Sequence, residues 1–163
     1  MRAFTAPLDS LEEYGQIKER IKKNQGVLQV SGCIDSQKSH FMYSIGETYG
    51  QKLILTYSDL RAREIYENYR FFDQNVLIYP ARDLMFYNAD IQSHQIGMQR
   101  MMVQKSLMEE EDITVIATLP ACMERILPLT YMQEHVLEFQ NDSSLDLQKL
   151  SAQLVEMGYE KMP

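Results

Sequence analysis

Three residues in the stretch VLQVSGCIDSQKS, residues 27–39, have the types and the spacing to hold a phosphate. Gly32, Lys38 and Ser39 stand where the pattern G-x-x-x-x-G-K-S/T has its first glycine, its lysine and its hydroxyl. Such a loop curls backbone N–H groups around a β-phosphate while the lysine reaches the β and γ oxygens. The second glycine lets the backbone approach closely, and Gln37 takes its place here. Asp35 adds a negative charge where phosphates would sit. The stretch reads as a strand, turn and helix start that keep the shape of a nucleotide loop and have lost the ligand. A working nucleotide site is the alternative.

No other chemistry is assembled by spacing. His40, His94 and His135 are scattered and do not form an H-E-x-x-H pair. No serine sits in a G-x-S-x-G elbow. Acids are plentiful, but no pair stands out as acid and base. The run Glu109–Asp112 reads as a solvated turn, the sharper alternative being a metal site, which adjacent acids alone rarely supply. An ATPase also needs a strand ending in an Asp–Glu pair, and the strand-like ITVIAT ends in Ala117 and Thr118. The expectation is no catalytic residue, no metal ligand and no bound cofactor. One loop could bind a partner. In ARDLMFYNADIQ, residues 81–92, Arg82, Asp83, Tyr87 and Asp90 read either as a docking surface past a strand end or as charges left in water.

The elements that must position these groups follow from periodicity. Ser10 and Glu13 have capping-box spacing ahead of Leu11, Tyr14, Ile17 and Ile21, a helix that runs to Gly26. Lys18, Arg20, Lys22 and Lys23 suit its solvated C-terminal half, with a DNA patch as the alternative. Val27, Leu28 and Val30 predict a buried strand, and a helix over 37–48 carries Phe41, Met42 and Ile45. Lys52–Tyr57 is the next strand. Ser58 or Asp59 caps a helix whose stripe of Ala62, Ile65, Tyr66, Tyr69 and Phe72 is core. A strand over Asn75–Tyr79 stops at Pro80. Ser93 is expected to cap a helix through Met108, with Met98, Met101, Met102 and Met108 filling core, an adaptable binding surface being the alternative. The strand Ile113–Thr118, a short helix to Ile126, a helical turn over 129–135 and a short strand Val136–Phe139 come next. A polar loop, 141–144, leads to a last helix with Leu147, Leu150, Leu154 and Met157, closed by Gly158.

Strands alternating with helices predict an α/β fold, a mostly parallel sheet flanked by helices, its loops gathered at one sheet edge. Cys33 and Cys122 fall at that edge and are read as buried thiols, because neither lies in C-x-x-C. A chain of 163 residues, 45% hydrophobic and 24% charged, fits one domain with its own core. No run reaches the ~20 apolar residues of a membrane span, and the first residues lack a secretory signal, so a cytoplasmic protein with no membrane partner is expected. A net charge of −7 argues against nucleic acid as this chain's main partner.

Longer stretches carry a resemblance. VSGCIDSQKSHF, LILTYSDLRAREIYENYRFFDQNVLIYPARDLMFYNADI and VIATLPACMERILPL, with the MRAFTAPL start and the final LVEMGYEKM, resemble the N-terminal module of bacterial transcription-repair coupling factor (Mfd). That module is similar to the excinuclease component UvrB and is a degenerate version of its first, RecA-like helicase lobe. The resemblance implies a single UvrB-like domain over 1–163, with an N-terminal helix in 1–25, the sheet and helices in 26–163, and the family's second domain beginning near 158. It places Gly32, Gln37, Lys38 and Ser39 at a Walker A loop that no longer binds ATP, whereas UvrB itself keeps an intact G-K-T. It implies a scaffold and interaction module that is not itself an enzyme. ATP and Mg belong to motor lobes downstream, the UvrA contact to the adjoining domain, and RNA polymerase and DNA contacts to other domains. A stand-alone P-loop nucleotide-binding protein with an atypical Walker A loop is the alternative reading, and a UvrB fragment the third.

Overall fold

The computed structural model describes residues 2–23, 26–82, 89–137, 139 and 146–161. Its elements run α1 (Arg2–Asp9), α2 (Glu12–Lys22), α3 (Asp35–Gly46), β1 (Gln51–Thr56), α4 (Asp59–Tyr69), β2 (Val76–Tyr79), α5 (Ala89–Glu109), β3 (Ile113–Thr118), α6 (Leu119–Met123), α7 (Leu129–Glu134) and α8 (Leu147–Glu156). Two compact units divide them, Met1–Glu124 and Arg125–Pro163.

In the first unit the β-branched and leucine-rich runs pair in parallel in the order β1-β3-β2. Leu53 and Leu77 flank Val115, and Thr56 lies beside Thr118. β3 is buried along its whole length, as an uncharged, largely β-branched run in a central parallel strand should be. Ile113 and Ile116 are each worth about 2 kcal/mol of burial. On one face Ala62, Ile65 and Tyr69 of α4 pack with Val76 and Ile116, joined by Met42 and Tyr43 of α3. On the other, Val103 of α5 and Ala121 of α6 pack with Tyr79, Ile113, Val115 and Ala117. The predicted α/β class and parallel sheet are thus observed.

Several local expectations are corrected. Ser10 does not cap a helix: its Oγ donates to Pro7 O at 2.7 Å, ending α1, an element that periodicity did not predict. The next helix, α2, begins behind Leu11 with no side-chain cap. Val27–Val30 is not a strand; the run is irregular, with Val27 97% exposed. Residues 89–92 are helix rather than loop, so Ser93 lies inside α5 instead of capping it. Met98, Met101 and Met102 point to solvent, because only the α5 side bearing Val103 and Leu107 meets the sheet. Val136 and Phe139 are exposed and outside any strand. Cys122 is exposed and Cys33 partly so, and both are free thiols. The 141–144 loop lies outside the described residues.

In the second unit α8 is closed as its sequence predicts. Gly158 takes φ 93°, while its N–H and that of Tyr159 return to Val155 O and Leu154 O at 3.0 Å each. Asp146 Oδ1 caps the start by accepting from the amides of Gln148 and Lys149. Among the described residues no helix is long and apolar enough to cross a membrane.

Candidate functional site

The helix that follows the P-loop-like turn starts on Ile34, whose side chain offers no acceptor. Gly32 turns the chain with φ 90°, a conformation open to glycine. Gln37, three residues into the cap, folds back so that its Oε1 accepts the Ile34 N–H at 3.3 Å. In a helix N-terminus that N–H is one of the free donors an anion would use. The residue in the second glycine's place is therefore a helix-capping device.

Lys38 is also taken. Its Nζ lies 2.8 Å from Asp35 Oδ1, and the same oxygen receives Arg61 Nη2 at 2.9 Å. Arg61 belongs to the first turn of α4 and holds Glu64 Oε2 with its other nitrogen at 2.8 Å. The hydrogen bond from Lys38, then the charge of Arg61, hold the Asp35 carboxyl below its usual range. Ser39, in the position of a magnesium-binding hydroxyl, is 2% exposed and faces the interior. The loop's own carboxylate thus sits between the two cations that a phosphate would seek. Gly32, Gln37, Lys38 and Ser39 keep the motif's spacing, but Gln37 Oε1 accepts the Ile34 N–H and Lys38 Nζ donates to Asp35.

The other half of the same sheet edge is organised by residues that belong to no motif. Arg100 of α5, 4% exposed, donates from Nη1 to Pro80 O at 2.7 Å and meets Glu124 Oε2 at 3.3 Å. Its guanidinium lies 4.2 Å from the centre of the Tyr79 ring. Glu124 Oε1 in turn accepts the Arg82 N–H at 2.7 Å, while the Arg82 side chain stays largely in water. This fixes where the candidate docking loop leaves the sheet. Of its other members, Asp83 and Tyr87 lie outside the described residues, and Asp90 is placed only as backbone in the first turn of α5. Arg61 could have been anticipated, since the sequence puts the starts of both helices at one edge. Arg100 could not: its partners are a carbonyl 20 positions before it and a carboxylate 24 positions after it.

At the opposite edge the run Glu109–Asp112 braces the sheet. Asp112 Oδ1 receives Lys52 Nζ at 2.5 Å, Glu110 Oε2 receives Asn75 Nδ2 at 2.6 Å, and the Glu110 carbonyl receives Gln51 Nε2 at 3.1 Å. Among the described residues no group of three His, Cys, Asp or Glu could hold a metal ion.

A three-stranded parallel sheet flanked by helices is compatible with a UvrB-like helicase lobe. Comparison with known proteins points the same way. UvrABC system protein B of Neisseria meningitidis (strain Z2491) is 26% identical over 146 residues, covering 80% of this chain and 22% of that protein. The same protein of Neisseria gonorrhoeae matches equally. The transcription-repair-coupling factor of Bacillus subtilis is 24% identical over 135 residues, covering 81% of this chain and 12% of that protein. No family model matches, and no solved structure does. The chain is thus a distant relative of both proteins, and it spans about a fifth of the length of one and an eighth of the other.

Proposed function

We propose that this chain is a scaffold and interaction module in nucleotide-excision repair, of the coupling-factor type, built on a helicase lobe whose nucleotide loop is vestigial. The observation that carries the reading is the self-occupied loop: Gln37 takes the Ile34 N–H, and Asp35 takes Lys38 and Arg61. Distant similarity to UvrABC system protein B and to transcription-repair-coupling factor supports the repair context. The glutamine in place of the second glycine favours the coupling-factor side of that pair, because the resemblance implies that UvrB keeps an intact G-K-T loop. On this reading the chain neither binds nor hydrolyses ATP, needs no metal and works in the cytoplasm. Its partners are the remainder of a longer polypeptide, UvrA through an adjoining domain, and RNA polymerase and DNA through others.

Calorimetric titration with Mg-ATP tests this. The wild-type chain should show no binding tighter than ~100 μM, about −5.5 kcal/mol, and no turnover. Tighter binding would overturn the vestigial reading and restore a nucleotide-binding protein.

A further inference from the structure

The helix α2 is fastened to the rest of the first unit at Tyr14. It has 11 residues, of which Tyr14 is the buried one, at 1% exposed. The Tyr14 hydroxyl is hydrogen-bonded to Ser44 Oγ of α3, and its ring stands edge-on to Phe41 with the ring centres 5.6 Å apart. Ser44 is itself 2% exposed, so the bonded pair is shut away from water. Among the described residues the ion pairs of α2 stay within the α1–α2 hairpin. Lys18 reaches Asp9 of α1 at 3.0 Å, and Lys23 lies 3.7 Å from Glu19. Lys18 also rides 4.4 Å from the centre of the Tyr14 ring.

We propose that this hairpin is a clasp, which opens in one piece at Tyr14 and uncovers Phe41 and Ser44 of α3 while the sheet stays folded. Among the described residues neither apolar core includes one from α1 or α2, so the sheet and its covering helices keep their packing when the hairpin leaves. The bond between Lys18 and Asp9 makes α1 and α2 leave together. The connection allows it. Residues 23–34 carry no helix or strand among those described, and twelve residues reach at most about 40 Å when extended.

The energetics of the pin favour an all-or-none clasp. A helix as short as α2 is marginal in water by itself, so α2 holds its shape only while Tyr14 is docked. In the open state both hydroxyls find water. Removing one of them in the closed state leaves the other buried without its partner, and that shifts the balance towards opening. The clasp does not depend on whether the loop at the start of α3 binds nucleotide.

Amide hydrogen exchange on the full chain tests it. In the wild type the amides of α2 should exchange at least about tenfold faster than those of β3, through an opening that spares the sheet. Tyr14→Phe and Ser44→Ala should each speed exchange in α1 and α2 about tenfold and leave β3 unmoved. The double variant should add little to either, because both delete one bond. Exchange of α2 as slow as that of β3 in the wild type would overturn the proposal, since the hairpin would then leave only on global unfolding. Variants that speed β3 as much as α2 would overturn it too. A thiol measurement reads the uncovered face directly. With Cys33→Ser and Cys122→Ser as background, Ser44→Cys should react with a maleimide through the same opening as α2 exchange, at least about tenfold more often than β3 opens. Labelling that keeps pace with β3 instead would sink the clasp.

Discussion

The two halves of the sheet's C-terminal edge each set an arginine against a carboxylate, and they differ in where the pair sits. At the α3–α4 corner the Asp35 side chain is 68% exposed, so its contacts with Lys38 and Arg61 are screened by water. At the β2–β3 exit the Arg100 side chain is 5% exposed and that of Glu124 25%. Exposed ion pairs add little to stability, whereas breaking a buried pair strands a charge away from water. The corner that looks like a functional motif therefore contributes little to the fold, and the corner with no motif is structural. On the vestigial-loop reading proposed above, the Asp35 contacts would keep a phosphate out without holding the domain together.

The largest effect should come from the buried half. Arg100→Ala removes the ion pair with Glu124, the hydrogen bond to Pro80 O and the packing on Tyr79. It should cost about 3 kcal/mol in urea denaturation followed by circular dichroism. A loss under about 1 kcal/mol would mean that the two corners are energetically alike, and the contrast would fail.

The next effect compares the two helix starts. Ser58 Oγ accepts the Arg61 N–H at 3.2 Å, so Ser58→Ala should cost about 1 kcal/mol. Gln37→Ala removes a longer bond between exposed groups and should cost less than about 0.5 kcal/mol. The reverse order would mean that Gln37 is a structural cap first and a barrier to phosphate second.

This pair of helix starts also marks what the sequence could reveal. The start of α4 was legible to within Ser58 or Asp59 from the polar pair ahead of an apolar helical stripe, and Ala62, Ile65 and Tyr69 are indeed buried behind it. The strand Ile113–Thr118 was legible because ITVIAT carries no charge and is rich in β-branched residues, while its central place in the sheet was not. Ser10 misled because its hydroxyl could equally serve the carbonyl behind it, and Pro7 O took it. Val27–Val30 misled because apolar, β-branched composition states a preference and cannot name a partner strand. At the candidate loop the departure at Gln37 was visible, but its hydrogen bond to Ile34 was not. The double grip on Asp35 depends on Arg61, 26 residues further on, and emerges only when both helices are in place.

The smallest effect isolates the charge of Asp35 itself. Lys38 and then Arg61 hold its carboxyl below the usual range. A lowered folded value means that its stabilisation is present above the unfolded carboxylate pKa of ~3.9 and is lost as pH falls through the lower folded value. Asp35→Asn should therefore lower the denaturation midpoint slightly at pH 7 and match the wild type near pH 2, with ~1 M salt shrinking the gap at neutral pH. The same variant leaves Lys38 and Arg61 without their shared carboxylate, while Arg61 keeps Glu64. A midpoint difference that persists at low pH and high salt would show that Asp35 acts as a neutral helix-start residue. The exposed corner would then be structural like the buried one, and the separation between blocking a ligand and holding the fold would collapse.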